Sequence, residues 1–399
     1  MTLNTRQSSG RDIHLLSLMC LAFPMYQGLA MSLAPLRMAH MGLSEATIGL
    51  VQALPGLMVL ALGAPFAQMA NTRWRGTTLI VVFCMAGLSS LFFGQAETAV
   101  GFIVPQLLMG ISTCAFFGNM LSVSFQLVGG PAQGAVQGRI TAFQGLSTFC
   151  GPLLGGSLLG FGPAWAFAPG VCCALLGAWC AARLSPSQDL EPRPHMARYL
   201  FGSYRRFLRV MTRRPVVVLG IALVALNSSI LYVMGGAFYL VYASGIGVSA
   251  VLATGLMSGR ELVGVLVRFS FTPLAQRFGA LRLLVFSVVI GASALIFMPS
   301  VQSVFGMAVI AFIIGISGAC VPPALNLMVG GTAVRHEQSF AILCLATGHF
   351  CVQTITAPLL GVVLGKWGYS VSYPAMGVLW ILLALLVLRV GERVLQRQT

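Results

Sequence analysis

Apolar stretches of roughly 20 residues recur between Ile13 and Val390, each long enough to cross a hydrocarbon core of about 30 Å. Only 8% of the residues are charged and 57% are hydrophobic, against about 25% charged in an ordinary soluble domain. A helix satisfies its own backbone polar groups, which lipid cannot do. The chain is therefore expected to be an all-α membrane protein. We place twelve transmembrane helices near 13–36, 45–69, 77–95, 100–127, 139–161, 163–183, 215–241, 249–272, 280–299, 302–329, 337–364 and 370–390.

The first span is too long for the core of a cleaved signal and lacks a small-residue cleavage site, so it is expected to stay as a membrane helix. The ten cysteines, among them Cys84, Cys114, Cys172 and Cys173, fall inside apolar spans without paired spacing. They suggest neither a disulfide framework nor a metal site.

The net charge of +15 would suit nucleic acid if it formed one patch, but its distribution follows the membrane. With twelve spans, 19 of the 23 basic residues fall on the side of the termini, including Arg6, Arg11, Arg73, Arg75, Arg139 and the arginine-rich stretch from Arg183 to Arg214. The opposite side keeps Arg37 and Lys366. Basic short loops mark the cytoplasmic face, so both termini are expected inside and no nucleic-acid partner is implied. One lysine beside 22 arginines suggests a GC-rich bacterial genome, hence a multi-pass protein of the bacterial inner membrane.

The chain also matches itself at a shift of about 205 residues. Gly42–Ser44 reads GLS and Gly247–Ser249 reads GVS; GIS recurs at Gly110 and Gly315; PLLG recurs at Pro152 and Pro358. Six helices return a chain to the face it left, so such halves are parallel repeats, with substrate bound between them near the midplane. The expected organisation is an N-terminal six-helix half (1–184), a basic cytoplasmic linker (185–214) and a C-terminal six-helix half (215–399).

The eighth span is the unusual one, because Arg260, Glu261 and Arg268 sit in it. A charge at the bilayer centre costs about 2.5–3.5 kcal/mol on insertion scales, so these side chains must face protein or a watery cavity. Glu261 and Arg268 are two turns apart on nearly one face, and Arg260 lies about 100° round the helix. Either arginine, or both, could hold the carboxylate ionised. In the functional reading, Arg260 or Arg268 grips an anionic substrate and Glu261 carries a proton. In the structural reading, an Arg–Glu pair simply fixes helix packing.

The same positions resemble the major facilitator superfamily along nearly the whole chain. The family's loop signature between helices 2 and 3 corresponds to AQMANTRWRG (Ala67–Gly76), with Asn71 in place of the usual Asp and with Arg75 retained. Its counterpart, TPLAQRFGALR (Thr272–Arg282), has Gln276 in place of Asp and keeps Arg277 and Gly279. The resemblance implies a conformational latch here that relies on amide hydrogen bonds rather than on an acid. The fifth span resembles the family's exporter motif through Gly138, Gly151, Pro152, Gly155 and Gly156, with Ser147 replacing one glycine. The arginine that drug–proton antiporters often carry four residues before a helix-4 glycine is absent, since Gln106 precedes Gly110.

The resemblance further implies that polar side chains in the cavity-lining spans contact substrate or protons: Tyr26, Gln27, Gln52, Asn119, Gln144, Asn227, Tyr232, Asn326, His349 and Gln353. Each could equally be an interhelical hydrogen bond. It implies a secondary transporter acting as a monomer without a cofactor, with a small-molecule substrate and protons as its partners. Proton-coupled export of a metabolite, siderophore or drug is the leading expectation, and uptake of an organic anion through the arginines is the second. A P-loop, HExxH and GxSxG are all absent, so neither an ATP-driven pump nor a membrane enzyme of those types is indicated.

Overall fold

The computed structural model describes residues 10–69, 74–127, 133–184, 202, 204–205, 215–269, 271–319 and 338–396. Among these residues there is no strand. The helices are α1 (Gly10–His40), α2 (Glu45–Met69), α3 (Arg75–Gln95), α4 (Ile103–Leu127), α5 (Gln133–Leu158) and α6 (Pro163–Arg183). Next, α7 (215–245) joins Pro215–Ser228, a π-helical segment Ser229–Ala237 and Phe238–Gly245. Then come α8 (Ala250–Phe269), a short helix Phe271–Phe278, α9 (Ala280–Phe297) and α10 (Val304–Ala319). A final helical run, Gln338–Gln396, is broken at Gly368 into α11 (338–367) and α12 (369–396).

Nine of the described segments are long and apolar enough to cross a membrane, and one of them, Gly348–Arg393, spans the break at Gly368. The protein is a multi-pass, all-helical membrane protein. Several helices outrun their apolar spans: α1 begins at Gly10, α5 at Gln133, and α12 continues to Gln396. Hydropathy marks the edge of the hydrocarbon, whereas a helix continues into the polar interface for as long as its backbone bonds persist.

The internal repeat is visible in the turns. Leu43 N–H bonds Met38 O and Gly42 N–H bonds Ala39 O; at 205 residues' remove, Val248 bonds Ala243 and Gly247 bonds Ser244. This is the same helix C-cap twice, and both require left-handed backbone, with φ of 74° at Gly42 and 84° at Gly247, which glycine adopts without a Cβ penalty. Gly162 and Gly368, 206 apart, also carry positive φ, between α5 and α6 and between α11 and α12.

Two hydrophobic clusters form, one from Leu15 to Ala181 joined by Val241 of α7, and the other from Leu219 to Ala384. They meet along two seams, α2 on α11 and α5 on α8, both made by glycines. A Cβ on Gly49, Gly56 or Gly361 would collide with the carbonyls of Ala357, Phe350 or Glu45, and one on Gly156 with Thr254. Across the centre, His40 Nε2 and Ser244 Oγ hydrogen-bond at 3.1 Å, tying α1 to α7. This contact joins the ends of α1 and α7 that lie away from the chain termini. The opposite end gathers basic groups: Arg139 bonds His14 at 2.7 Å, and Arg11 reaches Arg183 O at 3.5 Å.

Candidate functional site

α8 carries its charges in two different environments. Arg260 is only 4% exposed and all three of its guanidinium nitrogens are engaged. Nε and Nη2 donate to Glu261 Oε1 at 3.2 and 2.6 Å, while Nη1 donates to the carbonyls of Leu231 and Gly235 at 2.9 and 2.6 Å. Both carbonyls belong to the π-helical segment of α7. Gly315 on α10 lets this arrangement sit deep in the bundle, since a Cβ there would lie 2.5 Å from Arg260 O.

Arg268 is different. Its Nε is buried and has no hydrogen-bond partner among the described residues, and it makes no ion pair with any of them. The sequence left open which arginine holds Glu261; the structure gives that role to Arg260. Glu261 Oε2 accepts no hydrogen bond from a described residue, and the carboxylate side chain is 21% exposed.

Tyr232 projects from the π-helical segment into this neighbourhood. Its hydroxyl lies within electrostatic range of Glu261, Arg260 and Arg268, and its ring meets that of His349 edge-on, with centroids 4.5 Å apart at 73°. His349 in turn packs on Phe350 at 4.6 Å. Tyr232 is 37% exposed, so the cluster opens onto space that protein does not fill. Five expected residues are thus brought together from α7, α8 and α11: Tyr232, Arg260, Glu261, Arg268 and His349.

Other expected residues lie elsewhere. Tyr26 is buried in the first cluster and donates to Ser89 Oγ at 2.8 Å; Ser89 passes the bond to Pro105 O. Asn227 donates to Ser317 inside the second cluster at 3.4 Å. Asn119 bonds Ala115 O of its own helix at 2.6 Å. These are packing contacts of the kind small polar groups make between and along membrane helices. Gln27 and Gln144 are half-buried. Gln52 and Gln353 are buried on the facing sides of the α2–α11 seam, and each keeps an unpartnered polar atom. Asn326 and Asn71 lie outside the described residues.

Residues 15–269, well over half of the chain, match the model of the Major Facilitator Superfamily. The chain belongs to that superfamily. No curated protein matches it in sequence. Among solved structures, it resembles a peptide transporter POT in complex with sulfate, at 12% identity and TM-score 0.79, covering 98% of this chain and 99% of that one. It also resembles a POT family transporter in complex with 5-aminolevulinic acid, at 11% identity and TM-score 0.76, covering 96% of each chain. The nucleoside transporter NupG aligns at 13% identity and TM-score 0.70, covering 95% of this chain and 98% of that one. At identities this low, the structural likeness shows a shared fold alone.

The superfamily's motif positions gain physical content here. Arg75 begins α3, is 4% exposed, and lies within electrostatic range of the equally buried Asp12 on α1. An acid from another helix thus stands near the loop-signature arginine, although position 71 holds a neutral amide. The only sequence clue was an acid isolated in the polar N-terminus. In the second signature Arg277 lies against the Phe278 ring at 5.4 Å, and Gly279 turns the chain at φ 82°; Gln276 lies in the short helix Phe271–Phe278. In α5, which also contains Gly138, a Cβ on Gly151 would sit 2.5 Å from Met25 O, Pro152 lies against Gly28, and Gly155 faces Leu29 and Leu33. These residues bind α5 to α1, while Gly156 binds it to α8. Ser147 departs from the motif for a visible reason: its hydroxyl is shared between Phe143 O of its own helix and Cys20 O of α1, the latter at 3.2 Å. The Cys20 carbonyl is the one left without an α-helical donor by Pro24, four residues on.

Sequence reasoning also missed Gln106 and the π-helical segment. Gln106, noted only for not being arginine, is fully buried with both amide atoms unpartnered. The π segment had no readable signal beyond Gly235–Gly236.

Proposed function

We propose that this member of the superfamily is a proton-coupled secondary transporter for a small organic anion, with Arg268 as the anion anchor and Glu261 as the proton carrier. The observation that carries the proposal is the division of labour on α8. Arg260 is fully engaged, Arg268 has no ion-pair partner among the described residues, and Glu261, two turns away on the same helix, keeps one oxygen free of hydrogen bonds from described residues. Arg268 presents a planar fork suited to a carboxylate or phosphate, and Tyr232 adds a hydroxyl donor. A half comprising 1–184 and another comprising 215–399 would rock around this site, joined by 185–214, in a monomer whose termini face the bacterial cytoplasm.

The electrostatic sign bears on direction. With Glu261 ionised, the three α8 charges sum to one positive charge; protonation leaves two. A bound proton therefore raises affinity for the anion, and sites that strengthen each other favour carrying both together. This supports the uptake reading over export. The export reading retains the α5 motif, whose glycines are also accounted for by close packing on α1 and α8.

A panel of mono- and dicarboxylates, applied outside proteoliposomes that enclose a pH-sensitive dye, tests both. Uptake with a proton acidifies the lumen, whereas exchange against protons alkalinises it. Glu261→Gln should abolish the coupled pH change while leaving downhill anion movement, and Arg268→Lys should raise the apparent KM. A full pH response from Glu261→Gln at normal abundance would remove Glu261 from the coupling step.

A further inference from the structure

We infer that Arg260 is a positioning residue: it holds the π-helical segment of α7 in place, and that segment sets where Tyr232 stands relative to His349 and Arg268. The inference rests on the transport reading only for its effect on affinity; the geometry stands without it. In the segment Ser229–Ala237, hydrogen bonds run to the fifth residue back, ending with Phe238 N–H on Val233 O. π turns are rare, occur mostly as short insertions and cluster at functional sites. They persist where surrounding groups satisfy the backbone acceptors that the register change leaves poorly served.

Those groups are present here. The return to α register at Phe238 passes over the carbonyl of Met234, and Tyr373 of α12 donates its hydroxyl to that oxygen at 2.8 Å. Arg260 donates to two further carbonyls of the segment, Leu231 and Gly235. A charged donor makes hydrogen bonds roughly twice as strong as neutral ones, and its own charge is balanced in place by Glu261. Two helices thus brace one irregular segment. Gly235 is needed within it, since a Cβ there would lie 2.6 Å from Ile230 O.

The consequence is geometric. Tyr232 lies between the two carbonyls that Arg260 grips. Each α-helical residue turns about 100°, so collapsing the π turn into α register would swing Tyr232 away from its edge-on contact with His349. Arg260 then influences substrate without touching it, and removing it should act on affinity through Tyr232.

The test uses the full chain in nanodiscs and needs no substrate. Amide hydrogen exchange is followed over residues 229–245, and fluorotyrosine placed at position 232 reports the ring's surroundings by its ¹⁹F resonance. Arg260→Gln should speed exchange in this segment by about tenfold or more, the effect of losing charged hydrogen bonds, and should move the resonance. Arg260→Lys, which keeps the charge but not the fork, should fall between. Arg268→Gln should leave exchange in the segment unchanged. Should Arg260→Gln accumulate poorly, Tyr373→Phe serves in its place, with a smaller rise in exchange confined to the same segment. Unchanged exchange in Arg260→Gln, an equal rise in Arg268→Gln, or a rise spread evenly over all helices would each overturn the inference. A protein inert in liposomes that still shows the local rise would break the proposed function and leave this inference standing.

Discussion

α1 and α7 occupy equivalent places in the two halves, and both are interrupted at the same point by different means. Pro24 stands where Ser229 begins the π segment, since 229 − 205 = 24. In α1 Pro24 frees one carbonyl, and the hydroxyl of Ser147, shared with Phe143 O of its own helix, reaches it at 3.2 Å. In α7 a change of register passes over one carbonyl, which Tyr373 answers, and Arg260 donates to two others in the segment. The partners continue the contrast. Arg260–Glu261 of α8 corresponds to Pro55–Gly56 of α2, yet the backbone contact beneath is shared: Gly110 lies against Pro55 O and Gly315 against Arg260 O. The repeat thus preserves close helix approach and lets the chemistry diverge. One half is a scaffold at this level, and the other holds the charges.

The largest effect should come from splitting the charged pair. Arg260→Met strands Glu261 and should lower stability by about 3–5 kcal/mol, whereas Arg260→Met with Glu261→Gln should recover much of the loss. Thermal unfolding of both variants in detergent reads this, and equal losses would mean that the pair is not coupled.

Next come the shared glycines. Gly110→Ala and Gly315→Ala place a methyl 2.6 and 2.5 Å from facing carbonyls, and each should cost about 1–3 kcal/mol as overpacking. The comparison requires similar values in the two halves; a large loss in one and none in the other would show that the halves do not share this contact energetically.

Ser147→Ala removes the donor to Cys20 O and should lower the melting point by the equivalent of about 1 kcal/mol, well below Arg260→Met. A loss as large as that of Arg260→Met would erase the distinction between scaffold and charged half. The smallest effect belongs to Arg282→Gln. Its pair with Glu392 spans 3.1 Å but is 69% and 41% exposed, so the change should be below about 1 kcal/mol and vanish in high salt.

Much of this could be read before any coordinates. Length and hydropathy place the spans, because lipid accepts only self-satisfied backbone. The 205-residue echo pairs Gly42 with Gly247, and the structure shows that both serve as left-handed helix caps. The α8 charges announce themselves because charge is costly in lipid, and a hundred degrees per residue places them on adjoining faces.

The sequence by itself therefore determined the membrane architecture, its internal repetition and the helix that carries charge inside the membrane. Only tertiary structure decided which arginine is occupied and which has no ion-pair partner among the described residues. Helical periodicity says which way a side chain points, but not what it meets there. Arg260 is engaged because a register change in α7, 25 to 29 residues earlier in the chain, turns two carbonyls toward it. Arg268 meets no such acceptors. Register in α7 is set by α8 and α12 packing around it, a balance among separate helices that no single stretch of residues records.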